Sequence, residues 1–526
     1  MASPALTKAL DELSSAKIAW RSDDADRVSY ARDLFPRHHM AVRAGHVAAH
    51  APGAIAWPTS TEQVATLVRW AISHQVTLVP FGAGSGVCAG VLPTPDSLVV
   101  DLKRMAAVRA LDAERPTVTV EAGSMGLPFE EWLNRRGLSL GHFPSSILCS
   151  TVGGWVAARS AGQASGLYGK IEDMVVSLEC VTGRGDVARL VHRPNGPSLV
   201  PAIVGSEGTL AIVTAAKLRL HRAPTVRGFA SWSFPSVRAG WEAMREMFQA
   251  GLRPAVLRLY DPFDAMLARR GSVRQPGKGG RAPGRGQAAL RSLLKRPKLL
   301  GELLESQAAS AAFGGSLLVC IFDGHDERVF ADVARASGIA ARGGGTSEGE
   351  APARKWLLHR YSISYRQAPL LAQGLFVDTM EVAATWSRLG ALYDGVRRAI
   401  GSRAFVMAHL SHAYPDGCCI YFSFAGVAKP GAGTWDEACE ARYDEIWRDG
   451  LAAALAAGGT LAHHHGIGRS KAPRLGEEIG HGMALQRALK RAFDPHGVLN
   501  PGALLPPIAP NPFVPDAFPS PFEASP

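Results

Sequence analysis

Three consecutive histidines, His463, His464 and His465, stand out as side chains able to do chemistry. An imidazole titrates near working pH, so any of them can take or give a proton. With His409 they could also ligate zinc. Successive side chains on a regular strand point to opposite faces, however, so at most two of the three would converge, and no metal is expected. A second candidate is the run Pro80-Phe81-Gly82-Ala83-Gly84-Ser85-Gly86, whose missing side chains let backbone N–H groups approach phosphate oxygens. An ordinary loop can look the same. It is not a Rossmann fingerprint, because Val87 breaks the Gly-x-Gly-x-x-Gly spacing and the turn leads toward a strand instead of a helix.

The elements around these residues can be read from periodicity. Thr59 to Glu62 forms a capping box, and Val64, Leu67, Val68, Ala71 and Ile72 follow at helical spacing, so a helix begins near Ser60. A strand from Val76 to Val79 then runs into the glycine turn. Strand-like stretches recur at 97–102, 116–122, 174–181 and 210–220, with short helices such as Phe129 to Arg136 between them, which predicts an α+β lobe. From about 225 to 455, helical runs (Trp241 to Gly251, Trp386 to Ile400) alternate with strands (Ser316 to Phe322, Cys418 to Phe424). That texture predicts an antiparallel sheet covered by helices. The proline-rich ending from Pro501 should lie extended on the surface.

Composition bounds the classes. The 526 residues, 47% hydrophobic and 20% charged, can fill two or three cores, since single cores stop growing near ~250–300 residues. Seven cysteines without a Cys-x-x-Cys pair indicate neither a disulfide framework nor a zinc knuckle and fit a reducing compartment. The acidic stretch Met1 to Asp26 lacks a signal-peptide core, and no segment approaches the ~20 apolar residues that span a bilayer. Export is not expected. The net charge of +11 is local: residues 266–298 hold ten Lys or Arg and no acid, leaving about +1 elsewhere. Nucleic acid is therefore not an expected partner. The basic segment reads as a flexible insertion, either solvated or meeting anionic lipid headgroups.

The most specific words are Gly141-His142-Phe143-Pro144, Ser150-Thr151-Val152-Gly153-Gly154-Trp155-Val156-Ala157-Ala158-Arg159, Gly166-Leu167-Tyr168-Gly169-Lys170-Ile171-Glu172-Asp173 and Gly205-Ser206-Glu207-Gly208-Thr209-Leu210. They closely resemble the FAD-binding domain of the alkyl-dihydroxyacetonephosphate synthases, in the vanillyl-alcohol-oxidase superfamily. The likeness runs from roughly residue 27 to 505 and is weakest across the basic insertion. Four further words agree with that family: Pro254-Ala255-Val256-Leu257-Arg258-Leu259, Tyr365-Arg366 (loosely), Gly417 to Phe422, and His463 to Gly466.

The resemblance implies an α+β fold, a PCMH-type two-lobed FAD-binding domain with an antiparallel-sheet cap domain. The expected division is an N-terminal helical segment (1–49), the FAD-binding domain (50–224), the cap (225–455, with the insertion 266–298) and a C-terminal segment (456–526) returning to the flavin. By resemblance, Pro80, Phe81, Gly82, Ala83, Gly84, Ser85 and Gly86 cradle the pyrophosphate. Ser145, Ser146, Ser150, Thr151 and Gly153, with Ala158, Arg159, Ser160 and Ala161, line the ring and ribityl chain. Glu207, Gly208, Thr209, Leu210 and Val213 close over the adenine side. Gly153 and Gly154 would also suit a tight turn between packed elements. The glycine turn offers no histidine for a covalent link, and although Cys149 lies in the second segment, non-covalent FAD is expected, as in the family.

The implied reaction replaces the acyl group of acyl-dihydroxyacetonephosphate by a long-chain alcohol, with covalent catalysis through the flavin. One of His463, His464 and His465, with His464 preferred, would move the proton of the substrate carbon. Tyr421 would pass a proton to or from the leaving and entering oxygens, and Arg366 and Arg258 would hold the phosphate. The cytoplasm is the expected compartment; contact with the inner membrane face and homodimerisation stay open. The competing chemistry on this scaffold is that of FAD-dependent 2-hydroxy-acid dehydrogenases of the D-lactate type. Their metal site uses two histidines in Gly-His-x-Gly-Asp-Gly-Asn-x-His and a glutamate in Glu-His-Gly-Ile-Gly. The corresponding stretch here is His409-Leu410-Ser411-His412 to Phe422, where the second ligand histidine of that pattern is missing, and His464 stands where the glutamate would be. A flavin-bearing but silent lipid-binding protein is a third alternative. Two departures from the synthases are the insertion and the first loop, Gly-Ala-Gly-Ser-Gly where they have three consecutive glycines.

Overall fold

A computed structural model describes residues 4–43, 50–193, 195–270, 294, 296–298, 300–301, 313–362, 375–427 and 435–506. Most of the basic insertion, Arg366, and the tail beyond Pro506 lie outside these residues. The chain divides into two compact units: residues 1–162, 169–223 and 464–526, and residues 163–168 and 224–463.

The first unit holds β1 (Ala19–Arg21), β2 (Ala54–Trp57), β3 (Thr77–Phe81) and β4 (Ser97–Asp101) in a sheet of order β1-β2-β4-β3. The helix Thr61–His74 feeds β3. Its N-cap is Ser60, whose side chain accepts from Gln63 N, while Gln63 Oε1 accepts from Thr59 N at 2.7 Å. The N-cap thus sits one residue later than the Thr59–Glu62 pair predicted, and Gln63 reaches back past it to the N–H of Thr59. β3 is the edge strand, where the missing donor of Pro80 is tolerated. Residues 498–500 cover that edge: Leu78 N donates to Val498 O (2.7 Å) and Asn500 N to Leu78 O (2.8 Å).

A second sheet, of order β5-β6-β10-β8-β9, comprises β5 (Val108–Asp112), β6 (Thr117–Glu121), β8 (Val175–Thr182), β9 (Val187–Val191) and β10 (Ala211–Arg219); β7 (Leu138–Ser139) pairs with β11 (His221–Arg222) apart from it. All four strand-like stretches read from the sequence are strands.

The second unit is built on a seven-stranded antiparallel sheet of order β15-β12-β14-β13-β17-β18-β16, from β12 (Val226–Phe234), β13 (Val256–Tyr260), β14 (Ser316–Gly324), β15 (Thr346–Ser347), β16 (Phe376–Thr385), β17 (Phe405–Ala413) and β18 (Gly417–Gly426). Alternation divides its strands into two faces. On one, Leu259 meets Gly240 of the helix Val237–Gln249, Phe422 meets Tyr393 of Leu389–Gly401, and Phe424 packs on Tyr443 and Trp447 of Trp435–Ala456. On the other, Val256, Tyr260, Leu317, Val319 and Ile321 pack with Ala265, Ala353 and Trp356 from the helices Pro262–Arg270 and Ala351–His359. That second face also carries the candidate chemistry of this unit.

Candidate functional site

Within the first unit, the three segments expected to hold FAD converge. A Cβ added at Gly82 would collide with Thr151 Oγ1, and one at Gly208 would lie 3.0 Å from the Pro80 ring. Glu207 N donates to Ala157 O and Gly205 N to Val156 O, which ties 205–207 to the helix Val152–Ala158. Thr151 caps that helix through Gly154 N at 3.2 Å. Among the described residues, no protein acceptor meets the N–H groups of Ala83, Gly84 and Ser85. Gly84, at φ +65°, uses a conformation that glycine adopts without strain. A turn of glycine, alanine and serine with unmet donors fits a pyrophosphate.

Several expected cofactor residues have other partners. The Arg159 guanidinium pairs with Glu172 at 3.1 Å. Ser150 Oγ accepts from Trp155 Nε1 at 2.8 Å, and Ser160 Oγ lies 2.8 Å from His142 Nε2. Thr209 Oγ1 donates to Ser206 O. Gly153 is needed for packing, since a Cβ there would sit 2.6 Å from the Ala122 methyl. Phe81, Ala161, Leu210 and Val213 are buried, Ser146 and Ala158 half-buried, and Ser145 and Gly86 exposed. His142, quoted in the sequence but given no role, is fully buried against Trp155, and burial, with His464 adding to it, holds its imidazole down at about 3.

In the second unit, strand register sets Tyr260 beside His409, His409 beside Tyr421, and Tyr421 beside Glu381, one row across four strands. The His409 ring stacks on Tyr421 with centroids 4.6 Å apart, and its Nδ1 lies 3.1 Å from Asp264. Burial, with Arg258 adding to it, holds His409 well below the ordinary imidazole range. Burial pushes Asp264 up to about 6, against the pull of Arg258. Burial, then Cys419 and Glu381, keep the Tyr421 hydroxyl well above the usual phenol range; Arg258 opposes them.

Arg258 is buried with its guanidinium 5.2 Å from the Tyr260 ring and 6.0 Å from that of Tyr421, and its Nε has no hydrogen-bond partner among the described residues. A buried cation with a spare donor beside a phenol can bind an anion and position it for proton transfer.

The histidine triplet lies in a bend, not on a strand, and the chain passes from one unit to the other between His463 and His464. His463 belongs with the row: its N–H donates to both Glu381 oxygens (3.0 and 3.1 Å), and its ring is 5.7 Å from His412 and 5.4 Å from Tyr414. His464 and His465 face each other edge-on in the first unit, with centroids 4.7 Å apart. Glu381, Cys419 and His463 converge closely enough to share an ion. The carboxylate also accepts the backbone N–H of His463 and the Cys419 thiol, the latter at 3.0 Å. Sequence reasoning gave no role to Glu381, Asp264, Ser165 or His412. Asp264 and Glu381 lie outside the words matched in the sequence, Ser165 adjoins one and His412 lies in the stretch His409 to Phe422; strand register and tertiary contacts reveal all four.

Residues 223–504 match the family described as FAD linked oxidases, C-terminal domain, and residues 52–190 match the FAD binding domain family. The chain is 30% identical to the alkyldihydroxyacetonephosphate synthase of Trypanosoma brucei brucei over 86% of its length and 73% of the relative's. It is 29% identical to that of Dictyostelium discoideum, over 93% and 79% respectively. A solved alkyldihydroxyacetonephosphate synthase structure superposes with a TM-score of 0.72 at 27% identity, covering 94% of this chain and 84% of the other.

Proposed function

As this chain belongs to the alkyldihydroxyacetonephosphate synthase family of FAD enzymes, we propose that it exchanges the acyl group of an acyl-dihydroxyacetonephosphate for a long-chain alcohol, without net redox change. The observation that carries this reading is the pairing of Arg258, buried with a spare Nε–H, with the Tyr421 phenol on one sheet face. A substrate with a phosphate and a leaving carboxylate needs those two groups. FAD, held without a covalent bond, supplies covalent catalysis at the substrate carbon when bound. Its pyrophosphate is assigned to the N–H groups of the 82–86 turn.

Arg258, with Arg366, binds the phosphate by charge-assisted hydrogen bonds. Tyr421 gives its proton to the departing carboxylate and recovers one from the entering alcohol, so the residue ends as it began. One of His463 to His465 moves the proton on the substrate carbon, with His464 the choice from sequence and His463 the one that lies with Tyr421 in the second unit. The reading includes a cytoplasmic enzyme acting on lipid at the inner membrane face.

Tyr421→Phe keeps the ring and removes the oxygen. FAD content should survive while turnover falls by roughly the ~10²–10⁴-fold typical of a lost acid–base group. Alkyl exchange and dye-coupled hydroxy-acid oxidation are assayed side by side, with and without chelator. Anaerobic bleaching of the flavin by D-lactate at a useful rate, stopped by chelation, would replace this reading with that of a 2-hydroxy-acid dehydrogenase.

A further inference from the structure

Strand β17 does not run regularly to its end. Ser411 pairs with Cys419 and Ala413 with Cys418, which leaves His412 between them as a β-bulge. At φ +52° it adopts the left-handed conformation, strained for a residue with a side chain and concentrated at functional positions. On a regular strand, position 412 would point away from the face that carries His409 and Tyr421. The bulge brings it back. His412 Nε2 lies 3.0 Å from Tyr421 Oη, and Nδ1 lies 2.9 Å from Ser165 Oγ, at the start of the short helix Ser165–Tyr168. Ser165 Oγ is in turn 3.0 Å from Tyr414 Oη. His412 and Ser165 are both buried.

These contacts accommodate hydrogen bonds running in either direction; in the direction that suits proton transfer, Tyr421 accepts. Tyr414 donates to Ser165 Oγ, Ser165 donates to His412 Nδ1, and the imidazole proton then resides on Nε2 and donates to Tyr421 Oη. Tyr421 then acts as a donor on the other side of its oxygen. We propose that His412 is a positioning residue for Tyr421: anchored by Ser165, it presents Nε2–H to the phenol oxygen, aims the Tyr421 proton at the substrate oxygen and holds the phenolate left when that proton departs. The Tyr421 O–H bond breaks as the O–H bond of the released fatty acid forms. The alcohol's O–H bond later breaks to restore the phenol, so no oxidant or reductant is required. Burial and the neighbouring Cys419 and Glu381 disfavour a phenolate here, which is why a directed N–H donor matters. This inference rests on Tyr421 being the proton-transfer residue of the proposed reaction.

His412→Asn is the test, since asparagine tolerates the left-handed backbone but is too short to span Ser165 and Tyr421. The holoenzyme should keep its FAD, and kcat for alkyl exchange should fall on the order of 10²-fold with KM changed by less than about twofold. In a Tyr421→Phe background the same substitution should have no further effect on kcat, a non-additivity that a merely structural loss would not show. A spectroscopic arm does not depend on turnover: in holoenzyme with isotope-labelled histidine, the ring-nitrogen resonance removed by His412→Asn should move in Tyr421→Phe and in Ser165→Ala. Unchanged kcat, a full additional loss in the Tyr421→Phe background, or a resonance indifferent to Tyr421→Phe would overturn the proposal. Absence of alkyl exchange in the wild type, with the resonance still responding to Tyr421→Phe, would instead overturn the reading of the reaction and leave the His412–Tyr421 contact standing.

Discussion

Glu207 should act as a clasp for the loop that follows the histidine triplet. Its Oε1 accepts Ile467 N–H at 2.6 Å and its Oε2 accepts Gly468 N–H at 2.8 Å. Asn500 Nδ2 donates to the Glu207 carbonyl at 2.8 Å and to Gly90 O at 3.0 Å, so one residue gathers three segments of the first unit. Burial raises its carboxyl, while the two N–H donors, Lys471 and Arg469 pull it down. Glu207→Ala leaves both N–H groups without their charged acceptor. An unmet buried donor costs about 1–3 kcal/mol, and because these are only part-buried the low end applies, about 2–3 kcal/mol together. At roughly 2 °C per kcal/mol for a unit of this size, Tm should drop by about 4–6 °C. Glu207→Gln keeps one acceptor and should lose about half as much. Flavin fluorescence on heating reads Tm, and hydrogen exchange over 464–470 reads the loop directly. If exchange there is unchanged in Glu207→Ala, the clasp is not what holds the loop and the reasoning fails.

Gly153→Ala places a methyl 2.6 Å from the Ala122 methyl and 3.0 Å from its carbonyl. Overpacking should cost about 1–3 kcal/mol; lost Tm that returns in the Ala122→Gly, Gly153→Ala double variant would confirm packing as the cause, and a single variant as stable as wild type would refute it. Asp264 offers a test in pH. Its carboxyl is raised from 3.8 to about 6 in the folded protein, so it keeps its proton where the unfolded chain has lost it, and stability falls as pH rises through that interval. The shift corresponds to at most about 3 kcal/mol. In Asp264→Asn, Tm measured from pH 4 to 6 should decline less steeply than in the wild type; an identical slope would show that the proton resides elsewhere.

Much of the architecture was legible because it follows from local periodicity. Val64, Leu67, Val68 and Ala71 are buried on one stripe of the helix Thr61–His74, as 3.6-residue spacing requires. The cap was misplaced by one residue because Thr59, Ser60 and Thr61 can all cap a helix, and only the Gln63 contacts choose among them. The flavin segments were legible as words, since glycine at 82 and 208 answers to close approach between distant segments. Which side chains those segments commit to their own neighbours was not legible. The pairing of Arg159 with Glu172 and of Glu207 with Ile467 and Gly468 is decided by tertiary placement.

His412 shows where reading by alternation stops. A period of two, carried along β17 from His409, puts residue 411 with the chemistry and residue 412 behind the sheet. One unpaired residue reverses that assignment, and nothing in Ser411-His412-Ala413 announces it, because histidine is neither a glycine nor a usual turn former. The left-handed backbone costs about 1–2 kcal/mol. Two side-chain hydrogen bonds, at about 0.5–1.5 kcal/mol each, offset that cost. Alanine at this position would keep the strain and lose the bonds. The strain of the bulge is thus offset by a side chain that reaches both Ser165 and Tyr421, which ties the backbone irregularity to the phenol it serves.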